Sequence, residues 1–368
     1  MGSRIDASEK ATRIGFLLGS WGAAARLRSP GRSGAGRRRA LALLLAGCAG
    51  IAVAGARDAG AEAPAKVTMA WVAVTGSQAV AWTAAEGGYF RRNGLDVDLV
   101  YISGSPTAAA ALVSGSLQFV QMAGPAVVAA DAHGAHEVMV MGFVNRPVFV
   151  LMTAPEIQTP EQLRGKIVAV SKVGSSDDFM LRELLAHWGL RPNADVQITA
   201  VGSVVAQLAA LEKRLVHGAV VDPPNDVLAA DLGARALARV SDLGVAYQAA
   251  GLVTTREYIQ AHPEVVLRIV RAMTEAIHRI KTDKPFALRV MAKYLRNENP
   301  RIVEASYTSF APIFQRVPTP TRAGLEEIVK QLRSAGELKE EVDVGAMLDT
   351  SFVDVLQQSG FIDSVYGR

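Results

Sequence analysis

Residues 66–106 read KVTMAWVAVTGSQAVAWTAAEGGYFRRNGLDVDLVYISGSP, and their order decides the fold. Lys66 to Val74 is apolar and rich in β-branched side chains, the composition of a buried strand. Gly76-Ser77-Gln78 breaks it. Ala79 to Phe90 then reads as a helix with a stop near Gly87-Gly88. Asp96 to Ile102 alternates polar and apolar residues, as a strand does. Ser103-Gly104-Ser105-Pro106 is a turn that opens a helix, with Ser105 expected at the N-cap and Pro106 at the first helical position. Strand, helix, strand, helix at this spacing means βαβ units and a parallel sheet.

The rhythm continues outward. Phe119 to Ala123 reads as a strand, Pro125 to Ala132 as a helix and Val138 to Val144 as a strand. It starts again with a strand at Lys166 to Val170, a turn at Gly174-Ser175-Ser176 and a helix from Asp177 to His187. A strand at Val196 to Val201, a helix at Val204 to Arg214 and a strand at Gly218 to Val221 follow. The turn Asp222-Pro223-Pro224 then leads into a helix from Asn225 to Asp231. Two α/β lobes of similar plan are expected, with Gly- and Ser-bearing turns at the carboxyl ends of their strands. That is where open α/β sheets take ligands. From Tyr258 the character turns helical. Val266, Ile269, Val270, Met273, Ile277 and Ile280 keep the 3.6-residue period, as do Leu325, Ile328, Val329 and Leu332.

The chain has 368 residues, 39 Lys+Arg and 35 Asp+Glu, a formal +4. That surplus is local. Residues 1–39 hold nine Lys/Arg and two acids, and an uncharged run of 17 residues, Ala40 to Ala56, follows. A spanning helix needs about 20 apolar residues. A basic segment, a short apolar core and small residues behind it are the parts of a secretory leader, expected over 1–54. Three outcomes stay open. Cleavage after a small residue gives a soluble periplasmic protein, Leu45-Ala46-Gly47-Cys48 would allow lipidation of Cys48, and an uncleaved segment would stay as an anchor. Without 1–54 the chain keeps 30 basic and 33 acidic residues, a net −3. The basic residues of the body are scattered, with no interleaved aromatics, so nucleic-acid binding is not expected.

Cys48 is the single cysteine. This excludes a disulfide scaffold, a thiolate zinc site and nucleophilic cysteine chemistry in the mature chain. His133 and His136 suggest a metal only by spacing. Gly134 breaks the helix between them, and no third ligand is implied, so no metal is expected. Gly-x-Ser-x-Gly, Gly-x-Gly-x-x-Gly and Walker A spacings are absent, and no cofactor is expected. Trp82 follows the first turn closely enough to line a cleft. Ser103–Thr107 and Gly174-Ser175-Ser176 can each offer N–H groups and hydroxyls to a ligand. In the second turn Asp177 and Asp178 already serve the helix dipole and would repel an anion.

In this order and spacing, several segments carry a resemblance. They are Ala84–Phe90 running into Asn93–Val97, Ala110–Gly115, Ile157–Lys166, and Val173–Phe179 with Trp188-Gly189-Leu190. The chain resembles the substrate-binding proteins of ABC importers of the nitrate/sulfonate/taurine type over roughly residues 66–290. The resemblance implies an α/β, two-lobed fold of the type II periplasmic-binding-protein class. Each lobe would be a mainly parallel sheet flanked by helices, with a helical C-terminal region. Lobe 1 would hold 66–144 plus about 254–368, and lobe 2 about 152–244. Hinge crossings would lie near 145–152 and 244–254. The cleft would contact its ligand through Ser77, Gln78, Ser105, Pro106, Thr107, Gly124, Asn145, Ser175, Ser176 and Asp222.

The function so implied is capture of a small organic molecule for an ABC permease by a non-enzymatic monomer in the periplasm. A polar or anionic head suits the turns, while Asp222 and the Asp177-Asp178 pair leave room for a cationic or neutral ligand. The alternatives are a ligand-sensing partner of a membrane receptor and an enzyme on the same fold. The pyrimidine-precursor synthases and porphobilinogen deaminases that share this architecture depend on cysteines that the mature chain lacks.

Overall fold

The computed structural model describes residues 63–367. The expected leader over 1–54, with Cys48, lies outside the described residues. Among the described residues no helix is long and apolar enough to cross a membrane.

Strand β1 (Ala65–Trp71) leads through a 3-10 turn at Gly76–Gln78 into helices α1 (Ala79–Glu86) and α2 (Tyr89–Arg92). Gly88, between these helices, takes φ +67, a conformation that costs a glycine little. The expected single helix is therefore broken in two. Next come β2 (Leu95–Tyr101), α3 (Ser105–Val113), β3 (Phe119–Met122), α4 (Gly124–Ala132) and β4 (Glu137–Val144). Helix α3 starts one residue earlier than expected. Gly104 takes the N-cap place at φ 86, and no side chain caps the helix.

The chain then crosses to a second sheet. It forms β5 (Val150–Thr153), β6 (Ile167–Val170), α5 (Ser176–His187), β7 (Gln197–Ala200), α6 (Val204–Glu212), β8 (Gly218–Val221), α7 (Asn225–Asp231) and β9 (Arg235–Arg239). It returns as β10 (Ala250–Thr255) and continues into α8 (Arg256–Ala261) and α9 (Pro263–Thr282). Helices α10 (Lys284–Leu295), α11 (Pro300–Phe310), α12 (Arg322–Ser334), α13 (Ser351–Gln358) and α14 (Phe361–Val365) complete the helical C-terminal region.

The first sheet has the order β2-β1-β3-β10-β4 and the second β7-β6-β8-β5-β9. In the first, β1 runs parallel to β2 and β3, and β10 runs antiparallel to β3 and β4. In the second, β6 runs parallel to β7 and β8, and β5 runs antiparallel to β8 and β9. The architecture is the expected α/β with two helix-flanked sheets, and each sheet is mixed. The reversed strand in each is the one that enters directly after a crossing.

The core forms where the patterning puts it. On α9, Val266, Ile269, Val270, Met273, Ile277 and Ile280 are all fully buried against α1, β4 and the C-terminal helices. Each such side chain contributes about 1.5–3 kcal/mol relative to exposure. On α12, Leu325 and Ile328 seal the back of α4, where a Cβ on Gly124 would lie 2.7 Å from Leu325 Cδ2 and 2.6 Å from Ile328 Cδ1.

Candidate functional site

A cavity of about 90 Å³ lies between the two sheets. That is several times the ~10–15 Å³ needed by one water. The first sheet contributes Val72 to Thr75 beyond β1, Ser77 and Gln78 of the 3-10 turn, Tyr101 at the end of β2, and Ser103 to Ser105 at the start of α3. The second contributes Ser171 beyond β6, Ser175 to Asp177 at the start of α5, Ser203 and Gln207 at α6, and Asp222 beyond β8. Val148, Phe149 and Ala249 of the two crossings complete the wall. The carboxyl ends of parallel strands thus face each other across the cavity, the usual ligand position in open α/β sheets.

Local bonding holds the first wall. Gln78 turns back so that its Oε1 accepts the Val72 N–H at 3.2 Å. Thr75 and Ser77 hydroxyls share a hydrogen bond of 2.7 Å, and the Ser77 carbonyl accepts from Gln121 Nε2 at 2.8 Å. The second wall is built around Asp177. Its carboxylate accepts from the Ser171 N–H (2.6 Å), the Ser171 hydroxyl (2.8 Å), Gln207 Nε2 (3.1 Å) and the Ser175 hydroxyl. Burial still pushes the Asp177 carboxyl above the usual range. Asp178 turns away from the cavity, taking the Gly174 N–H at 2.8 Å and Arg182 Nε at 2.9 Å. Burial pushes Asp222 up to about 7, against a hydrogen bond from Thr75 and reinforced by the charges of Asp177 and Asp226.

Of the ten expected contact residues, Ser77, Gln78, Ser105, Ser175, Ser176 and Asp222 line this cavity. Pro106, Thr107, Gly124 and Asn145 do not. Thr107 is exposed, and its hydroxyl accepts from Lys172 Nζ at 2.6 Å, bridging the two walls outside the cavity. Pro106 lies beside it, 3.8 Å from where a Cβ on Gly174 would stand. Both shifts follow from α3 beginning at Ser105. Gly124 is packed under α12, and its N–H goes to the Gln248 carbonyl at 3.0 Å. Asn145 is held in the crossings by Thr319 and Gln248.

Trp82 does not line the cleft. It is fully buried, edge-on to Trp71 at 5.1 Å and stacked on Tyr294 at 5.1 Å. His133 bonds the Ala129 carbonyl, and His136 faces Glu257 at 3.6 Å. Ser103 and Asp177, read from the sequence as turn residues able to face a ligand, also line the cavity, and Tyr101, Ser171, Ser203 and Gln207 line it without having been expected there. Ser171 and Ser203 follow strands, as the expected serines do. Gln207 is the lone internal polar residue of VVAQLAALE, and that interruption was a readable signal.

Residues 77–284 match the family model described as NMT1/THI5 like, more than half of the chain. The chain belongs to this family. Solved structures share the fold of this NMT1/THI5-like chain at low identity. A Bordetella bronchiseptica protein is 19% identical with a TM-score of 0.72, covering 80% of this chain and 98% of that one. The alkanesulfonate-binding protein SsuA of Xanthomonas axonopodis pv. citri, bound to MOPS, is 20% identical with a TM-score of 0.66, covering 78% and 99%. The periplasmic nitrate-binding protein NrtA of Synechocystis PCC 6803 is 12% identical with a TM-score of 0.64, covering 81% and 89%. No curated protein matches the sequence.

Proposed function

We propose that this NMT1/THI5-like protein is an extracytoplasmic solute-binding protein. It captures a small organic molecule between its sheets and delivers it to an ABC permease, with no bond made or broken. The observation that carries this reading is the cavity itself, walled by strand ends of both sheets and backed by the two crossings. The sulfonate- and nitrate-binding proteins that share the fold support it. In this reading residues 66–144 and those after about 254 move as one lobe and 152–244 as the other, about hinges at 145–152 and 244–254. Closure buries the ligand and presents the bound form to the permease. The periplasm is its place of action, and a monomer suffices.

The test is a thermal-shift screen over a broad metabolite panel, with small-angle scattering on each hit. A hit should raise the melting temperature and reduce the radius of gyration. No shift and no compaction across the panel would remove the reading.

A further inference from the structure

The chemistry of the cavity lining selects its occupant. Among the described residues that line it there is no Lys, Arg or His, while two carboxylates, Asp177 and Asp222, stand on its second wall at 7% exposure each. Bringing an anion beside them would add like charge in a poorly solvated space, where repulsion is strongest.

On the second wall, donors that could hold an anion are already taken by the protein's own groups. At α5 the Ser171 and Gly174 N–H groups go to Asp177 and Asp178. At α6 the Ser203 hydroxyl accepts the Ala206 N–H at 3.4 Å.

An independent observation concerns Gln207. This residue lines the cavity, is 2% exposed, and spends its Nε2 on Asp177 at 3.1 Å. Its Oε1 is buried without a hydrogen-bond partner. A buried acceptor left unpaired is costly, and a ligand N–H would remove that cost. Tyr101 and Phe149 are the large aromatic side chains on the same lining, and ring faces attract organic cations.

Resting on the solute-capture reading above, we propose that the ligand is a small organic cation. Its ammonium or amidinium group donates to Asp222 and to Gln207 Oε1, and Asp177 supplies a fixed negative charge behind them. This separates the chain from the sulfonate- and nitrate-binding proteins whose fold it shares.

The experiment measures the melting temperature of the purified protein at pH 8 and matched ionic strength. The probes are acetamidinium, propylammonium, ethanesulfonate and nitrate, and native mass spectrometry of the freshly purified protein runs alongside. The cations should stabilise and the anions should not. Asp222→Asn should weaken cation binding by about tenfold or more. Glu156→Gln, which removes an exposed charge of the same sign, should leave it unchanged. Gln207→Met removes the acceptor with Asp222 in place and should also weaken binding, which keeps the test open if Asp222→Asn does not fold. Stabilisation by ethanesulfonate or nitrate alone would overturn the charge assignment and leave solute capture standing. If no probe acts, a co-purified cation supports the inference and a co-purified anion or neutral molecule overturns it. Protein with neither a response nor a bound molecule would overturn both readings.

Discussion

Gln248 Nε2 donates to Asn145 Oδ1 at 3.0 Å, and each residue belongs to a different crossing between the sheets. The pair is tied further to the loop before α12. Asn145 Nδ2 donates to the Thr319 carbonyl at 3.0 Å, and Gln248 Oε1 accepts the Thr321 N–H at 2.8 Å. Asn145 thus acts as a clip between chain segments, with no place on the cavity wall.

Removing this clip should be felt unequally. Gln248 is fully buried, and Gln248→Leu would leave the Thr321 N–H without its acceptor. A loss of about 1–3 kcal/mol is expected for Gln248→Leu and about 1 kcal/mol for Asn145→Ala. The double variant should lose less than the sum, because the two share a hydrogen bond. Urea denaturation of the three variants checks this. Strict additivity would show that the pair is not coupled.

Gly76 should not tolerate a methyl group. A Cβ there would stand 2.3 Å from Ser306 Oγ and 2.5 Å from Phe310 Cδ2, both on α11. The Gly76 N–H also donates to the Pro223 carbonyl, beyond β8 of the second sheet, at 3.4 Å. Gly76→Ala should therefore displace the turn that carries Ser77 and Gln78, at about 1–3 kcal/mol of stability. Guanidinium denaturation reads the stability, and an unchanged midpoint would refute the packing argument.

Glu137 begins β4 fully buried, and neither carboxylate oxygen has a hydrogen-bond partner. Burial, with the charge of Asp131, pushes it up to about 8. The folded protein keeps this proton after the unfolded chain has released it, so stability falls as pH rises from about 4.5 to about 8. Glu137→Gln keeps the shape and removes the linkage. Its stability should exceed that of the parent at pH 8, by an amount on the order of a few kcal/mol, and the gap should close toward pH 5. Urea midpoints across this range decide it. Parallel curves would show that Glu137 does not control the slope.

Besides the Arg182–Glu337 pair at 2.6 Å, two side-chain contacts among the described residues tie the two halves together outside the cavity. They are Lys172 to Thr107 at 2.6 Å, and Arg301 on α11 to Asp231 at the end of α7. The Arg301 pair is solvent-exposed, as is Thr107, so each contact should matter little to stability, about 0–1 kcal/mol. Their effect should appear in the openness of the ligand-free protein. The double variant Lys172→Ala, Arg301→Ala should melt within a few degrees of the parent, on the order expected for so small a loss, yet show a larger radius of gyration in scattering. Superimposable scattering curves would refute this role.

Much of the fold was legible because its signals are local. The β1, β2, β6 and β8 runs are apolar or alternating, and each ends in a Gly, Ser or Pro turn. The α9 stripe, Val266 to Ile280, spans about four turns of helix. The strands that escaped notice were β5, β9 and β10. The β10 residues AGLVTT carry no alternation, and their identity as a strand comes from β3 and β4, more than a hundred residues away in sequence. The site divides in the same way. Serines and Asp222 at strand ends could be picked out, because strand ends are where turns expose polar groups. Tyr101 and Gln207 sit inside regular elements, and only the packing decides which face meets the cavity. Trp82 shows the reverse, a residue close to the first turn in sequence that the fold turns toward Trp71 and Tyr294.

The reversed strand in each sheet also bears on how the chain can fold. β4 pairs with β10, and β10 in turn joins β4 to β3. A fragment ending before Ala250 would leave β3 and β4 with open edges, a template for aggregation. The first sheet can close only after the second half of the chain has been made. Such long-range pairing is slow to form. The first sheet is therefore not expected to survive in a fragment that ends before Ala250, and the vulnerable period for this protein lies between the synthesis of Val144 and that of Thr255.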